Sequence, residues 1–158
     1  MQFKNILVPY DGSEQAKHAL EVAIKLGEGE KPVKVTALYV APPTNFDDSA
    51  FEVAMQVSGA PLLDEKTKAD VRKAYEDKNR EMIEDRIEEF FASLPENLTL
   101  RIEVGNGAAN EVIVEYAEDN SIDLIVMGRR GLGRISAAMG SVSGAVMRAT
   151  DLPVLVVK

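Results

Sequence analysis

The spacing of apolar residues along the chain predicts an alternation of strands and helices. Short apolar or β-branched runs that end in turn residues predict five strands, at 3–10, 33–42, 98–105, 122–128 and 152–158. Apolar residues at helical spacing predict helices between the strands, at 13–27, 64–94, 108–120 and 141–151. Residues 42–63 have no clean period, and we expect a long loop or a partly helical flap there.

Residue types at the helix ends predict where the helices begin and end. Ser13 and Ser141 are the expected N-caps of the first and last helices, and Gly27 is expected to close the first helix as its C′ residue. The long helix at 64–94 is expected to bury one stripe of apolar residues: Val71, Ala74, Tyr75, Met82, Ile83, Ile87, Phe90, Phe91 and Leu94.

This alternation indicates one α/β domain over residues 1–158, a doubly wound parallel sheet with helices on both faces. Right-handed crossovers leave two plausible orders for five strands, 3-2-1-4-5 and 2-1-3-4-5. In the first order, which we take forward, the order of the strands reverses between the first and fourth strands. Ligands of such sheets bind at that reversal, beyond the carboxyl ends of the strands.

A glycine-rich stretch, MGRRGLGRISAAMGSVSG at 127–144, follows the fourth strand and therefore falls at the expected ligand crevice. Gly140-Ser141 opens the last helix, whose free N–H groups and dipole favour a phosphate. Asp11 ends the first strand on the opposite side of the same crevice. The plainer alternatives are a helix start without a ligand at Gly140-Ser141 and a simple turn at Asp11-Gly12.

Charge supports a compact anionic ligand. The chain has a net charge of −8, which argues against a partner such as nucleic acid or an anionic membrane. Residues 128–158 are nevertheless basic, because they contain one acidic residue, Asp151, against five basic ones: Arg129, Arg130, Arg134, Arg148 and Lys158. We therefore expect no nucleic acid and no membrane as partners.

Cysteine is absent and the N-terminal residues do not resemble a signal peptide, so a cytoplasmic location is expected. With a single histidine and no cysteine, no metal site is expected.

Common phosphate-binding and catalytic motifs do not match the glycine-rich stretch. A Walker A loop would need Lys-Ser or Lys-Thr after Gly133, where the chain has Arg134-Ile135. A dinucleotide fingerprint would need glycine in place of Ser136, and a nucleophile elbow would need serine in place of Val142. No catalytic residue is assigned, and we do not expect the protein to be an enzyme.

Over essentially its full length the chain resembles a single-domain universal stress protein of the ATP-binding subclass. The resemblance rests on KNILVPYDGS, on LYVAP, and on DLIVMGRRGLG with GSVSGAVMRATDLPVLVVK. The nucleotide signature of that family is Gly-x2-Gly-x9-Gly-Ser/Thr. Gly128, Gly131 and Gly140-Ser141 match it, but eight residues instead of nine separate Gly131 from Gly140.

The resemblance implies a binding site for ATP, with Mg²⁺, at which we expect at most slow, incidental ATP hydrolysis. Pro9, Tyr10 and Asp11 would line the nucleoside end, and Val40 would meet the adenine through its backbone. The ribose and phosphates would be held by residues of the glycine-rich stretch: Met127, Gly128, Arg130, Gly131, Gly140, Ser141, Val142 and Ser143. The resemblance also implies a homodimer through the last strand, Val154–Lys158.

Three functions follow from these observations. The first is a cytoplasmic ATP-binding stress or regulatory protein that acts through ligand-dependent association. The second is an interaction module of the same fold that has lost tight nucleotide binding because its phosphate loop is one residue short. The third, a phospho-receiver domain, would need an acceptor aspartate at the end of the third strand, where the chain has Val104-Gly105-Asn106.

Overall fold

The computed structural model describes residues 3–42, 49–59, 61–130 and 139–158. Its elements are, in chain order, β1 (Asn5–Pro9), α1 (Glu14–Gly27), β2 (Val33–Ala41), α2 (Ser49–Ser58), α3 (Glu65–Phe91), β3 (Leu98–Asn106), α4 (Ala109–Asp119), β4 (Leu124–Gly128), α5 (Ser141–Ala149) and β5 (Val154–Val157). In these ranges, no helix is both long enough and apolar enough to cross a bilayer.

The five strands form one parallel sheet in the order β3-β2-β1-β4-β5. The prediction of a doubly wound α/β sheet is confirmed, and so is the strand order 3-2-1-4-5 that we took forward. Receiver domains have the other order, with the third strand inside the sheet. Here β3 is an edge strand, so the fold does not support the receiver hypothesis.

Alternating residues of the central strands enter two separate cores. Ile6 and Val8 of β1 face α1 and α3, and both are fully buried with the apolar faces of those helices. Leu7 faces the opposite way and packs with Ile113 of α4 and Val146 of α5. β1 is therefore apolar at consecutive positions, as expected for a strand covered on both faces.

Helix α1 begins as the sequence predicts but ends differently. Ser13 is its N-cap, and the Ser13 side chain accepts a hydrogen bond of 3.1 Å from the Ala16 N–H. The C′ prediction for Gly27 is wrong, because Gly27 is the last helical residue and Glu28 is the cap. Gly27 is instead a packing position: a Cβ there would lie 2.9 Å from Leu98 Cδ1 and 3.1 Å from Val33 Cγ1.

Helix α3 buries only its C-terminal half. Asn79, Ile83, Ile87 and Phe90 are buried, whereas Ala74 and Phe91 of the predicted stripe are exposed. The N-terminal half, residues 65–78, has no buried residue. Its first turn is capped by the Asp64 side chain, which accepts a hydrogen bond from the Thr67 N–H. The prediction of a partly helical segment at 42–63 is confirmed by α2.

We expect Gly27→Ala to lower the free energy of unfolding by about 1–3 kcal/mol, because the buried side chains of Leu98 and Val33 must move. Gly144→Ala in α5 is the matched control. The three atoms nearest to its Cβ would be Arg148 Nη1, at 3.3 Å, Met139 Sδ, at 3.8 Å, and Arg148 Nη2, at 3.9 Å, all in flexible side chains. It should be neutral or should stabilise the helix by up to ~1 kcal/mol. Urea unfolding of both variants measures the difference, and a Gly27→Ala protein as stable as the wild type would contradict the packing argument.

Candidate functional site

A cavity of about 530 Å³ lies at the carboxyl ends of the central strands, where the strand order reverses. Its walls come from β1, β2, β4, the first turns of α1, α4 and α5, and the segments that join them. The lining residues are Pro9, Tyr10, Asp11, Ala16, Leu38, Val40, Ala109, Ile113, Met127, Gly128, Arg130, Met139, Gly140, Ser141, Val142 and Ser143.

The structure brings eleven of the twelve sequence-predicted site residues to this one cavity. The twelfth, Gly131, lies outside the described residues. Sequence reasoning missed five lining residues: Ala16, Leu38, Ala109, Ile113 and Met139. Two periodic patterns could have identified three of these residues. Leu38 lies two residues before Val40, so both side chains are on the same face of β2. Ala109 and Ile113 are four residues apart, so both lie on the same face of α4.

The Asp11 side of the cavity is a tight turn between β1 and α1. Asp11 Oδ1 accepts a hydrogen bond of 2.9 Å from the Ser13 N–H, and Gly12 has a φ of +82°, which favours glycine. The Tyr10 N–H donates to the Leu38 carbonyl at 2.8 Å, which joins the start of the turn to β2. Asp11 therefore shapes the turn and also borders the cavity.

Tyr10 borders the cavity, but its ring packs in the core beneath α1 and α3. Burial raises the pKa of the Tyr10 hydroxyl, and the positive charges of Arg86 and Lys17 partly oppose that rise. The phenol is therefore neutral near pH 7.

The start of α5 is joined to Arg129, the residue after β4, by two hydrogen bonds, and a third lies within the start of the helix. The Gly140 N–H donates to the Arg129 carbonyl at 2.9 Å, and the Ser143 hydroxyl lies 2.9 Å from the same oxygen and 3.1 Å from the Gly140 carbonyl. Gly140 is the N-cap, so the prediction that Ser141 caps this helix is wrong; Ser141 is the first helical residue. The Ser143 hydroxyl serves as an internal brace.

The first turn of α5 presents backbone donors to the cavity. The first helical hydrogen bond runs from the Gly144 N–H to the Gly140 carbonyl at 3.0 Å. The N–H groups of Ser141, Val142 and Ser143 precede that bond, so they have no acceptor within the helix. All three residues line the cavity.

Two glycines of the site are required by the packing of the protein itself. A Cβ on Gly128 would lie 2.7 Å from Gln15 Cβ of α1. A Cβ on Gly140 would lie 3.2 Å from the Arg129 carbonyl oxygen and 3.3 Å from Arg130 Cα. Large substitutions at either glycine would disturb the protein whether or not a ligand binds, so they cannot report on ligand exclusion.

The cavity combines apolar walls with a few polar groups. Among the lining residues that the structure describes, Asp11 is the one carboxylate and Arg130 is the one cation. In the part of the chain that the structure describes, no group of three or more His, Cys, Asp or Glu residues could hold a metal ion.

Comparison with known sequences relates the whole chain to one family. A profile of the universal stress protein family matches residues 2–158. The universal stress protein MJ0531 of Methanocaldococcus jannaschii is 34% identical over 164 aligned positions, which cover 99% of this chain and 82% of that relative.

Solved structures show the same fold. The protein MJ0577, also of Methanocaldococcus jannaschii, has a TM-score of 0.73 at 24% identity and covers 100% of this chain and 97% of its own. An Arabidopsis thaliana family member solved with AMP bound has a TM-score of 0.56 at 17% identity, covering 98% of this chain and 91% of its own. A universal stress protein in complex with cAMP has a TM-score of 0.54 at 21% identity, covering 99% and 98%. The chain belongs to the universal stress protein family.

Proposed function

We propose that this chain is an ATP-binding regulatory protein that acts through ligand-dependent association. The observation that carries the proposal is the composition of the one described cavity. Apolar side chains suited to a nucleobase line part of this cavity, and the N-terminus of α5, which is suited to phosphate, lines another part. A volume of about 530 Å³ lies in the range of small-molecule sites.

The apolar half supports binding of a flat, weakly polar ring. Leu38 and Val40 of β2, Ile113 of α4 and Met127 of β4 border it. Adenine would pack between these side chains and could form a hydrogen bond with the backbone at Val40 near the end of β2. Asp11, on the β1 side, would accept a hydrogen bond from the nucleoside.

The polar half supports binding of phosphate. The N–H groups at the start of α5 and the positive end of the helix dipole favour an anion. The Ser141 hydroxyl can donate a further hydrogen bond, and the Arg130 guanidinium can neutralise charge. Mg²⁺ would be held mainly by phosphate oxygens, because Asp11 is the one carboxylate among the described residues that border the cavity.

The AMP-bound and cAMP-bound members of the same fold support an adenine nucleotide as the ligand. The triphosphate is our finer proposal, based on the donors along residues 128–143. Phosphoryl transfer needs a group that positions the attacking water or hydroxyl. Asp11, the one carboxylate in the described part of the lining, holds the turn and would contact the nucleoside, which favours binding over catalysis.

One observation favours the second hypothesis, an interaction module that has lost tight nucleotide binding. The spacing between Gly131 and Gly140 is one residue shorter than in the family signature. The two hypotheses differ in one measurable property, the affinity of the folded protein for nucleotide.

The edges of the sheet support a homodimer through β5. At the β3 edge, the Arg80 side chain donates to the Ile102 carbonyl, and its Nη2 lies 3.6 Å from Glu103 Oε2, so it crosses that edge strand. At the opposite edge, β5 pairs with β4 alone, and the side chain of Leu155 is 37% exposed. An uncovered apolar edge strand favours pairing with a second copy about a two-fold axis.

The purified, folded protein should bind ATP with Mg²⁺, measured as calorimetric heat and as a rise in Tm. The affinity should fall as salt rises, because Arg130 and its neighbours contribute through charge. Nucleotide released on denaturation of the freshly purified protein would give independent support. No heat and no thermal stabilisation at millimolar ATP, with the fold intact, would support the second hypothesis instead.

Ser141→Ala and Ser143→Ala should have different effects, although only one residue, Val142, separates the two serines. Ser141→Ala should weaken ATP binding by about 1 kcal/mol and leave the Tm of the ligand-free protein unchanged. Ser143→Ala removes the internal brace, so it should lower the stability of the ligand-free protein by about 1 kcal/mol. Calorimetry and thermal unfolding of both variants separate the roles, and equal effects of the two on affinity would contradict the assignment.

Light scattering at micromolar concentration should show a dimer, and Leu155→Asp should convert it to a monomer. The new charge would be buried without a partner when two β5 strands pair. Leu62→Asp is the control, because Leu62 is also an exposed apolar residue, at 55%, but lies far along the chain from β5. A monomeric wild type, or a dimer that survives Leu155→Asp, would refute the β5 interface.

A further inference from the structure

Arg86 of α3 reaches the turn that carries Asp11, although α3 packs on the opposite face of the sheet from α4 and α5. Its guanidinium lies directly against Gly12: a Cβ on Gly12 would overlap Arg86 Nη1 and would lie 3.3 Å from Arg86 Cζ. The space that a side chain at position 12 would occupy is therefore taken by a residue more than seventy positions away.

The Tyr10–Ser13 turn keeps its internal hydrogen bond in one backbone conformation. Gly12 has a φ of +82°, and the Ser13 N–H must stay within reach of Asp11 Oδ1, now 2.9 Å away. Glycine loses more conformational freedom on ordering than any other residue, so a turn built on it needs outside contacts to stay in one state. On the side of the turn away from the cavity, Arg86 supplies such a contact.

A second pair of residues fixes the same helix to the start of α1. Lys17 Nζ lies 2.5 Å from Glu89 Oε1, so α3 contacts α1 one turn after Ser13. Arg86 and Glu89 are three residues apart and therefore lie on one face of α3. The Arg86 charge also lowers the pKa of the buried Tyr10 hydroxyl relative to what burial alone would give, which indicates that it lies close to Tyr10 as well.

We propose that Arg86 is a positioning residue of the binding site, which holds the Tyr10–Ser13 turn so that the Asp11 carboxylate faces the ligand. Arg86 does not line the cavity and acts through Asp11. The inference rests on the proposed nucleotide-binding function for its effect on affinity, but its effect on the turn does not depend on any ligand.

Loss of this contact should increase the fraction of molecules in which the turn is open. Apparent affinity falls in proportion to the fraction of molecules in the binding-competent state, so an effect on the turn becomes an effect on binding. The effect should be equal for AMP and ATP, because Asp11 borders the nucleoside end and both ligands share the nucleoside.

The first test measures the turn without any ligand. Arg86→Met keeps an apolar stem but removes the guanidinium, and hydrogen exchange of the Ser13 amide is followed by NMR. We expect exchange to accelerate by about fivefold or more, because the Ser13 N–H is exposed whenever the turn opens locally. Lys78→Met is the matched control: it removes the same charge from an exposed position two turns earlier on α3, and it should leave Ser13 exchange unchanged.

The second test measures whether Arg86 acts through Asp11. Dissociation constants for AMP and ATP are compared in the wild type, Arg86→Met, Asp11→Ala and the double variant. Arg86→Met should weaken both nucleotides by about fivefold in the wild-type background and have no further effect once Asp11 is replaced. Arg86→Lys, which restores the charge without the planar fork, should recover part of the loss.

The outcomes separate the role of Arg86 in the turn from the proposed nucleotide-binding function. Unchanged Ser13 exchange in Arg86→Met would overturn the inference even if nucleotide binds. Additive effects of the Arg86 and Asp11 substitutions on affinity would also overturn it, since Arg86 would then act by another route. A wild type that binds no nucleotide, combined with faster Ser13 exchange in Arg86→Met, would refute the proposed function and leave the role of Arg86 in the turn supported.

Discussion

The close approach of α1 to the end of β4 is the contact on which the site depends. Residue 128 is a glycine, so Gln15 of α1 can lie directly against it. A Cβ at position 128 would be only 2.7 Å from the Gln15 Cβ. The first turn of α1 therefore lies over the carboxyl end of β4. The Asp11 turn, which precedes α1, and Arg130, which follows β4, consequently border the same cavity. Any side chain at position 128 would separate the two sides of the site.

The strands could be predicted because a central parallel strand leaves a strong local signal. β1 and β4 read as short, uninterrupted apolar runs, and burial on both faces explains why. The strand order was left with two solutions, since right-handed crossovers permit both. Helix ends were less predictable, although Gly27 and Ser141 are residue types that favour caps. Gly27 is a helical residue that packs closely against Leu98, and the N-cap of α5 is Gly140.

Some residues of the candidate site could likewise be predicted from the sequence, and others could not. Pro9, Asp11 and Met127 follow from topology alone, because the carboxyl ends of β1 and β4 must meet where the strand order reverses. Arg86 and Gln15 leave no signal of this kind, since their roles come from contacts between distant segments that no local period encodes. For Ser143 the residue type was misleading. It suggested a hydroxyl that donates to a ligand, but both of its acceptors are carbonyls of the protein.

The shortened spacing between Gly131 and Gly140 has a smaller physical consequence than the motif comparison suggests. Arg129 and Gly140 are joined by a backbone hydrogen bond, and the Ser143 hydroxyl reinforces it at the same carbonyl. Residues 130–139 therefore connect two points whose separation is set by β4 and α5. Loop closure entropy depends only weakly on length, so one residue fewer changes little in the free energy that holds these ends together. The helix start and the Asp11 turn are held by hydrogen bonds that do not involve residues 131–138. The shortened spacing therefore leaves intact the interactions that position these two sides of the site.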